Sequence, residues 1–581
     1  MTTPPRPADS TPAEIDAALA DLEAVATEWA RLPIPLKISL LEGLPTRIED
    51  AAGRWVTAAS RAKGLPEGSP LRGEEWSSGP WAVASYIEPL KRTLQAAESG
   101  SLASLVEGKT RQRPDGQTIV RVLPDGLYDH LLFSGIEVDV WQEPGVTPAT
   151  LPDTMATFYR EDAPDGAVAV VLGAGNIASI PALDVLYKLY AEGQVVLLKM
   201  NPVNAYLQPI FEEVFADFVQ AGYLRFASGG AEVGKLLTGH DLVDEIHVTG
   251  SARTHDAIVY GTGAEGEQRK ERDEPISHKR VTSELGGVSP CLVVPGDWSE
   301  PDLEFQAENV ASQKMHNGGF NCIASQVLIL PEGWTQRDPF VHAVRRALRE
   351  LPDRPSYYPG TDDRVQDLQN AYPDTAERLG ATGARTLVEN VPAEPGEPAF
   401  TEEVFGPALA VTSLPGGTAG DDAADWLDRA VDFCNEHVVG TLGATVVIHP
   451  RTIKALGDRF WDAIARLRYG TVGINVWSGV NFFIAGGTWG AFPGHTRDDI
   501  QSGTGVVHNA YLFERPQKTV IQGPFAPFPR SLLLGETHVA PKPIWFVTNA
   551  TAETSARRLL SLATSPTPLK LPGIFASALR G

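Results

Sequence analysis

Between Ala167 and Val248 the chain repeats one unit, a short aliphatic run followed by a run with helical spacing, and this repeat constrains the fold more than anything else in the sequence. The apolar runs are Ala167 to Leu172, Gln194 to Leu198, Leu224 to Phe226 and Glu245 to Val248, with helices expected from about Ala182, from about Leu207 and near Val233. Strands joined by single helices must cross over and pair in parallel, so the spacing predicts an α/β fold with a doubly wound, nucleotide-binding layer. Ligands of such sheets bind at the C-terminal ends of the strands. A second alternating run starts at Leu285, with strands near Cys291 to Val294, Gln326 to Leu330, Leu409 to Thr412 and Thr445 to Ile448. The charged segment 264–280 reads as a surface loop or a solvated helix separating two lobes.

Thr11-Pro12-Ala13-Glu14 has the form of a capping box, and Ile15, Leu19, Leu22, Ala26 and Trp29 follow at helical spacing. Residues 11 to about 125 are therefore expected to be mostly helical, with no visible chemistry, and the proline-punctuated stretch Glu536 to Gly581 is assigned no activity. The expected division is a helical region plus nucleotide-binding domain over 1–283, a catalytic domain over 284–505 and a C-terminal strand and tail over 506–581.

Forty-nine Lys and Arg against seventy-three Asp and Glu give a net charge of −24, which disfavours nucleic acid and anionic membrane surfaces as partners. No uncharged apolar run approaches the roughly 18 residues a membrane helix needs. The N-terminus has no apolar leader, and three unpatterned cysteines suit a reducing compartment, so a cytoplasmic location is expected. His316 has no companion ligands, and no metal is expected.

Two segments carry chemistry. Cys322 lies in His316-Asn317-Gly318-Gly319-Phe320-Asn321-Cys322, and Glu284-Leu285-Gly286-Gly287 stands thirty-eight residues before it. Alone, Cys322 reads as a packing residue more often than not; together the two segments offer a thiol nucleophile and a carboxylate base. Cys291 and Cys434 read as packing residues. A third segment, Gly173-Ala174-Gly175-Asn176-Ile177-Ala178, looks like a dinucleotide fingerprint, but the next strand ends in Lys199-Met200-Asn201-Pro202, without the acid that holds a ribose.

Taken in order, six segments resemble the aldehyde dehydrogenase superfamily over roughly Leu151 to Pro529. They are the Asn176 turn with Pro181, Val195 to Lys199, Val248-Thr249-Gly250-Ser251, Glu284 to Pro290, Gly319 to Cys322, and Glu403-Val404-Phe405-Gly406-Pro407; Thr471 to Asn475 also fits. The resemblance implies two doubly wound lobes and oxidation of an aldehyde to a carboxylate with NAD or NADP. Its implied roles are Cys322 as nucleophile, Glu284 as water-activating base, and Asn176 with the Cys322 amide as oxyanion donors. Lys199, Gly250, Ser251, Glu403 and Phe405 would bind the cofactor. The thiol would ionise with help from helix-N-terminal amides or cofactor charge.

The resemblance further implies a homodimer or homotetramer built through a protruding hairpin near 135–162 and a C-terminal strand, with Met155 to Arg160 and Thr519 to Gly523 as the counterparts. Asn475, Trp477, Phe482 and Phe483 fall where the family lines its substrate entrance, a bias toward an apolar or aromatic aldehyde. The chain departs from the pattern at Pro202, where NAD-preferring members carry an acid; this opens the site to NADP, with Arg253 a candidate aid. Gly173-Ala174-Gly175 is similar to the fatty acyl-CoA reductase branch, so CoA-dependent aldehyde oxidation or acyl-CoA reduction is one alternative. A non-catalytic scaffold or binding protein of the same fold is the other. The retained Glu284 argues against the first, because it would hydrolyse the acyl-enzyme that a CoA enzyme must preserve.

Overall fold

The computed structural model of the chain describes residues 5–418 and 421–581 and has two large sheets. In the first, Arg280–Leu285, Glu245–Gly250, Val168–Leu172, Val195–Lys199 and Leu224–Ala227 lie in that order, all parallel, with Gly503–Thr504 antiparallel on the outer edge of Arg280–Leu285. Helices cover these strands, which is why their residues run apolar without alternation; Val195 to Leu198 are all buried. The strand order reverses at Val168–Leu172, flanked by Val195–Lys199 and Glu245–Gly250. A ligand crevice therefore opens at the turn from Gly173 to Asn176.

The Thr11 capping box forms, with the Glu14 N–H donating to Thr11 Oγ1 at 3.3 Å and the Thr11 N–H to Glu14 Oε2 at 2.7 Å. It starts the helix Pro12–Arg31, which packs on the first sheet. Trp29 anchors that packing among Tyr190, Phe218 and Tyr223 and donates its indole N–H to Leu189 O at 3.1 Å. Burial of a side chain of this kind contributes roughly 1.5–3 kcal/mol.

The second sheet contains every strand expected beyond Leu285 and more. Arg385–Val391, Ala408–Leu414, Ser325–Pro331, Ser289–Val293, Gly443–Val447, Thr471–Ile474 and Pro516–Gln522 are consecutive and parallel. Glu137–Gln142, Thr118–Leu123 and Thr110–Gln112 extend it antiparallel. The helical N-terminal region thus ends at Val106, short of the expected 125, and residues 110–142 belong to the second sheet although they precede the first in sequence. Asp139 masked this strand by interrupting its apolar face; it is buried beneath Arg111 and Arg121, with Arg121 Nε 2.6 Å from Oδ1.

Met155 to Arg160 forms no hairpin strand. Ala156 takes φ 50°, the surrounding residues make 3-10 turns, and only Met155 bridges, to Phe513. The antiparallel pair that does form is Thr118–Leu123 with Glu137–Gln142. Thr519 to Gln522 lie in Pro516–Gln522, which is paired on both edges within the chain, to Thr471–Ile474 and Glu137–Gln142. Both of its hydrogen-bonding edges are spent, so it cannot extend a partner's sheet while it stays in its own.

The charged stretch contains the exposed helix Gly263–Glu271, and the chain returns from it into the first sheet through Arg280–Leu285. It does not separate the lobes; the crossing to the second sheet is Gly286-Gly287-Val288. The C-terminal stretch is built into the body of the protein. Helix Ala552–Thr564 packs on Arg72–Trp76, and Trp76 Nε1 donates to Glu553 at 3.3 Å. Among the described residues no helix is long and apolar enough to cross a membrane, and no group of His, Cys, Asp or Glu gathers as a metal site.

Candidate active site

Helix Glu300–Met315 delivers the chain to a sharp turn in which Asn317, Gly318 and Gly319 take φ 53°, 71° and 86°. Gly319 is required twice over: an added Cβ would strain the left-handed backbone and would stand 2.6 Å from the Gly406 carbonyl oxygen. The turn ends at Cys322, partly buried, before strand Ser325–Pro331. Asn321 Nδ2 closes it by donating to His316 O at 2.8 Å, and Trp477 Nε1 holds Ile323 O at 3.0 Å. Cys322 therefore follows a helix C-terminus and starts no helix of its own.

Glu284 lies near the end of Arg280–Leu285, its Cα paired with that of Thr249 on the neighbouring strand. Its carboxyl is buried, and Trp489 Nε1 donates to Oε1 at 2.9 Å. Burial pushes this carboxyl from 4.5 up to about 7, against the pull of the indole and the Cys322 thiol. The same face of the two strands carries His247 and Thr282, with His247 Nδ1 and Thr282 Oγ1 2.9 Å apart. Thr249 Oγ1 donates to Asp184 Oδ2 at 2.9 Å, and burial holds Asp184 up at about 8.

Glu403 folds back onto the Glu284 segment. An added Cβ at Gly286 would overlap the Glu403 carboxylate, so only glycine there lets the two acidic segments touch. Burial lifts Glu403 to about 8, with Lys314 opposing it, and Oε1 has no hydrogen-bond partner. Lys314 is itself lowered to about 7 by burial. Burial first, then Glu284 and Glu403, push the Cys322 thiol well above its ordinary 9.0.

Asn176 Nδ2 donates to Phe320 O at 2.9 Å, which ties the Gly173 to Asn176 turn to the cysteine turn and leaves its second N–H free. Asn204 Nδ2 secures the turn at Ala174 O, 2.7 Å away. The structure thus gathers Cys322, Glu284, Glu403 and Asn176 around one point. Phe405, at φ 45°, sets its ring 6.2 Å from Phe320 and 4.8 Å from Tyr358.

Lys199, Gly250 and Ser251 form a second group, along the C-terminal edge of the first sheet. Lys199 ends its strand, nearly buried, with burial lowering its amine and Asp9 opposing. Gly250 is exposed, and an added Cβ would meet only a Val248 methyl, at 3.7 Å. Ser251 caps helix Ala252–Val259, its Oγ accepting from the Thr254 N–H at 3.3 Å.

Of the four residues expected at the substrate entrance, Asn475 is not there: its Oδ1 accepts from the Ile448 N–H at 2.8 Å inside the second sheet. Trp477 backs the cysteine turn. Phe482 packs against Ala174, Ile177 and Ile180 around Asn176, and Phe483 stacks on Trp81 at 5.8 Å. Sequence reasoning missed Trp489, which lies 205 residues from Glu284, and Lys63 and Tyr357, which reach the Asn176 carbonyl from distant segments.

Residues 142–362 match the model of the aldehyde dehydrogenase family. Coniferyl aldehyde dehydrogenase of Pseudomonas sp. (strain HR199 / DSM 7063) is 26% identical over 317 residues, which are 51% of this chain and 59% of that protein, so the match spans less than two thirds of the relative. NADP-dependent glyceraldehyde-3-phosphate dehydrogenase from Bacillus halodurans C-125, solved with NADP, aligns over 88% of this chain and 91% of its own at 18% identity with TM-score 0.56. Indole-3-acetaldehyde dehydrogenase, solved with NAD+, aligns over 88% and 90% at 18% identity with TM-score 0.56. Over residues 142–362 in sequence, and over the two-lobed fold in structure, the chain is similar to the aldehyde dehydrogenase superfamily.

Proposed function

We propose that the chain oxidises an aldehyde to its carboxylate with NAD or NADP through Cys322. The observation that carries this reading is the convergence of three groups: the Cys322 thiol, the Glu284 carboxyl poised at about 7, and an Asn176 amide with one N–H free.

As a carboxylate, Glu284 takes the thiol proton and Cys322 Sγ attacks the aldehyde carbon. The oxyanion so formed lies against the free Asn176 Nδ2–H and the Cys322 N–H, donors that move no proton. The bound nicotinamide supplies the acceptor for the hydride that leaves this carbon. A thioester then remains on Cys322. Glu284 releases the thiol proton to solvent, then deprotonates the water that attacks the thioester; the carboxylic acid formed gives its proton to the departing thiolate, so that carboxylate leaves and the thiol is restored, and Glu284 discharges its second proton to solvent. Aldehyde and water thereby yield carboxylate, a hydride and two protons.

The residues present fit a nicotinamide dinucleotide. Glu403 Oε1 is a buried acceptor without a donor, suited to ribose hydroxyls, and Phe405 flanks it. The open space at Gly250 and the helix N-terminus at Ser251 suit the pyrophosphate. Lys199 would meet the adenosine ribose. Pro202 leaves no carboxylate to repel a 2′-phosphate, with Arg253 beyond it, so both dinucleotides are admitted. Phe482 beside Asn176 favours an apolar or aromatic aldehyde.

The test is a panel of short, long-chain and aromatic aldehydes assayed with NAD and with NADP, each with and without CoA. Carboxylate should form at a rate independent of CoA, and Cys322→Ser should abolish NAD(P)H formation with the fold intact. Turnover that survives Cys322→Ser would sink the mechanism, and an acyl-CoA product would move the chain to the CoA-dependent reading.

A further inference from the structure

We infer that Lys63, with Glu74, Glu75, Arg354 and Tyr357, is a positioning cluster that locks the Asn176 turn to the Cys322 turn, making the N-terminal helical region part of the catalytic apparatus. The inference rests on the proposed aldehyde oxidation only for its activity readout.

Lys63 follows the last turn of helix Ile34–Ala62, and Glu74 and Glu75 sit on the short helix Arg72–Trp76. The side chains are sealed from solvent, 3% exposed for Lys63, 1% for Glu75 and 5% for both Arg354 and Glu74. An ammonium has three N–H donors, and Lys63 spends all three: on Glu75 Oε1 at 2.8 Å, Asn176 O at 3.0 Å and Asn317 Oδ1 at 3.0 Å. One cation thus grips the carbonyl of the oxyanion-donor residue and a side chain of the nucleophile turn.

The grip is closed from the other side. Asn317 Nδ2 donates to Asn176 O at 3.1 Å and to Phe320 O at 3.0 Å, the carbonyl that Asn176 Nδ2 also holds. The Tyr357 hydroxyl lies 3.1 Å from Asn176 O and 3.2 Å from Asn317 Oδ1 and shares its one proton between them. Glu74 Oε2 accepts the Asn317 N–H at 3.0 Å, and Arg354 Nη1 holds the same oxygen at 2.7 Å. The left-handed backbone of Asn317 is therefore fixed at its amide, its side-chain oxygen and its side-chain nitrogen.

A buried ion pair is a poor way to gain stability, because apolar residues of similar volume often do as well or better. Its use here fits orientation. The cluster's bonds end on the two turns whose relative position sets the distance from Cys322 Sγ to the Asn176 N–H. A displacement of about 1 Å there costs roughly 100-fold in rate.

The experiment compares the full chain with Lys63→Met/Glu75→Leu, which removes both buried charges together, and with Tyr357→Phe, which removes one donor and keeps the ring. Amide hydrogen exchange is followed in peptides covering 173–180 and 316–322, with the core strands Val168–Leu172 and Ser289–Val293 as internal references, alongside kcat and KM. In the double variant, exchange at both turns should accelerate about tenfold or more while the core strands stay protected. Its kcat should fall about 100-fold with KM for the aldehyde within about threefold. Tyr357→Phe should show the same split at about three- to tenfold in kcat.

Parent-like exchange at both turns, or a kcat restored along with stability in the double variant, would overturn the inference. Should the double variant fail to fold, Tyr357→Phe decides alone, and unchanged exchange and kcat there overturn it. If the parent protein turns over no aldehyde, the proposed function fails, while the exchange experiment still decides for or against the cluster.

Discussion

Trp489 sets the poise of the proposed base, and replacing it with Phe isolates that effect. The substitution keeps an aromatic ring beside Phe482 and His508, which lie 5.2 and 6.4 Å from the indole, and removes the N–H that bonds Glu284 Oε1 at 2.9 Å. A hydrogen bond to a charged group is worth about 1.5–3 kcal/mol, and one pH unit corresponds to about 1.4 kcal/mol, so losing the bond raises the carboxyl by about one to two units. The parent carboxyl sits at about 7, where burial has lifted it against this bond. With hydrolysis of the thioester limiting, the parent kcat at pH 6 is then about one tenth of its alkaline plateau, and half of the plateau at pH 7. In Trp489→Phe the break moves to about 8–9, and kcat at pH 7 drops about five- to fiftyfold while the plateaus converge. The assay is steady-state kcat from about pH 5.5 to 10 with aldehyde and dinucleotide saturating. A parent profile flat to the acid limit, as an ordinary glutamate would give, or a break that does not move in the variant, refutes the assignment.

Glu284→Gln should slow the burst of NAD(P)H and steady-state turnover alike, each by about 100-fold or more, seen by stopped flow; a full burst with only the steady state lost would confine Glu284 to the hydrolysis step. The same variant should be more stable than its parent above pH 7: a carboxyl raised from 4.5 to about 7 costs nothing below its unfolded value, and the cost accrues as pH rises between the two. It reaches about 3 kcal/mol, read as a gain in melting temperature at pH 8 that shrinks toward pH 5. Asn176→Ala should cut kcat about 100- to 1000-fold with little change in KM, measured at saturating dinucleotide. Pro202→Glu should shift the ratio of kcat/KM for NAD over NADP toward NAD by about tenfold or more, measured with one aldehyde.

The parallel strands were legible because a strand covered on both faces has to be apolar along its length, and Val195-Val196-Leu197-Leu198 has no other reading. The cysteine turn was legible because a run of left-handed residues demands glycine, and Gly318-Gly319 beside a lone cysteine is rare punctuation. What the sequence hid is buried charge. Lys63, Glu74, Glu75 and Arg354 look like solvated surface in any local window; only partners 113 residues away, at Asn176, and 254 away, at Asn317, put Lys63 inside. Asp139 hid a strand in the same way, its charge being answered by Arg111 and Arg121. The hairpin at Met155 to Arg160 was expected from the resemblance alone, and the local backbone does not follow it. Thr157, Phe158 and Tyr159 favour strands, but the left-handed Ala156 turns the chain before a ladder can start.

The electrostatics of the site determine how its thiol can react. Cys322 lies near two carboxyls, and each raises it further once burial has already done so. The three acids interact, and both carboxyls lose their protons before the thiol, which burial and those two charges push well above its ordinary value. At neutral pH the resting protein therefore holds no standing thiolate, and a protonated thiol is a poor target for oxidants. Attack on an aldehyde then requires the thiol proton to move as the bond to carbon forms, and Glu284 is the nearby group whose affinity for that proton is matched to the medium. In the proposed reaction, hydrolysis of the thioester asks the same carboxylate, once it has released the thiol proton, to take a second one, from water. One base serves both halves of the proposed reaction only while its pKa stays near neutrality, and that value is the balance of two opposed features: a strand end deep enough to lift a carboxyl, and the hydrogen bonds of the Trp489 indole and the Cys322 thiol that keep it from rising too far.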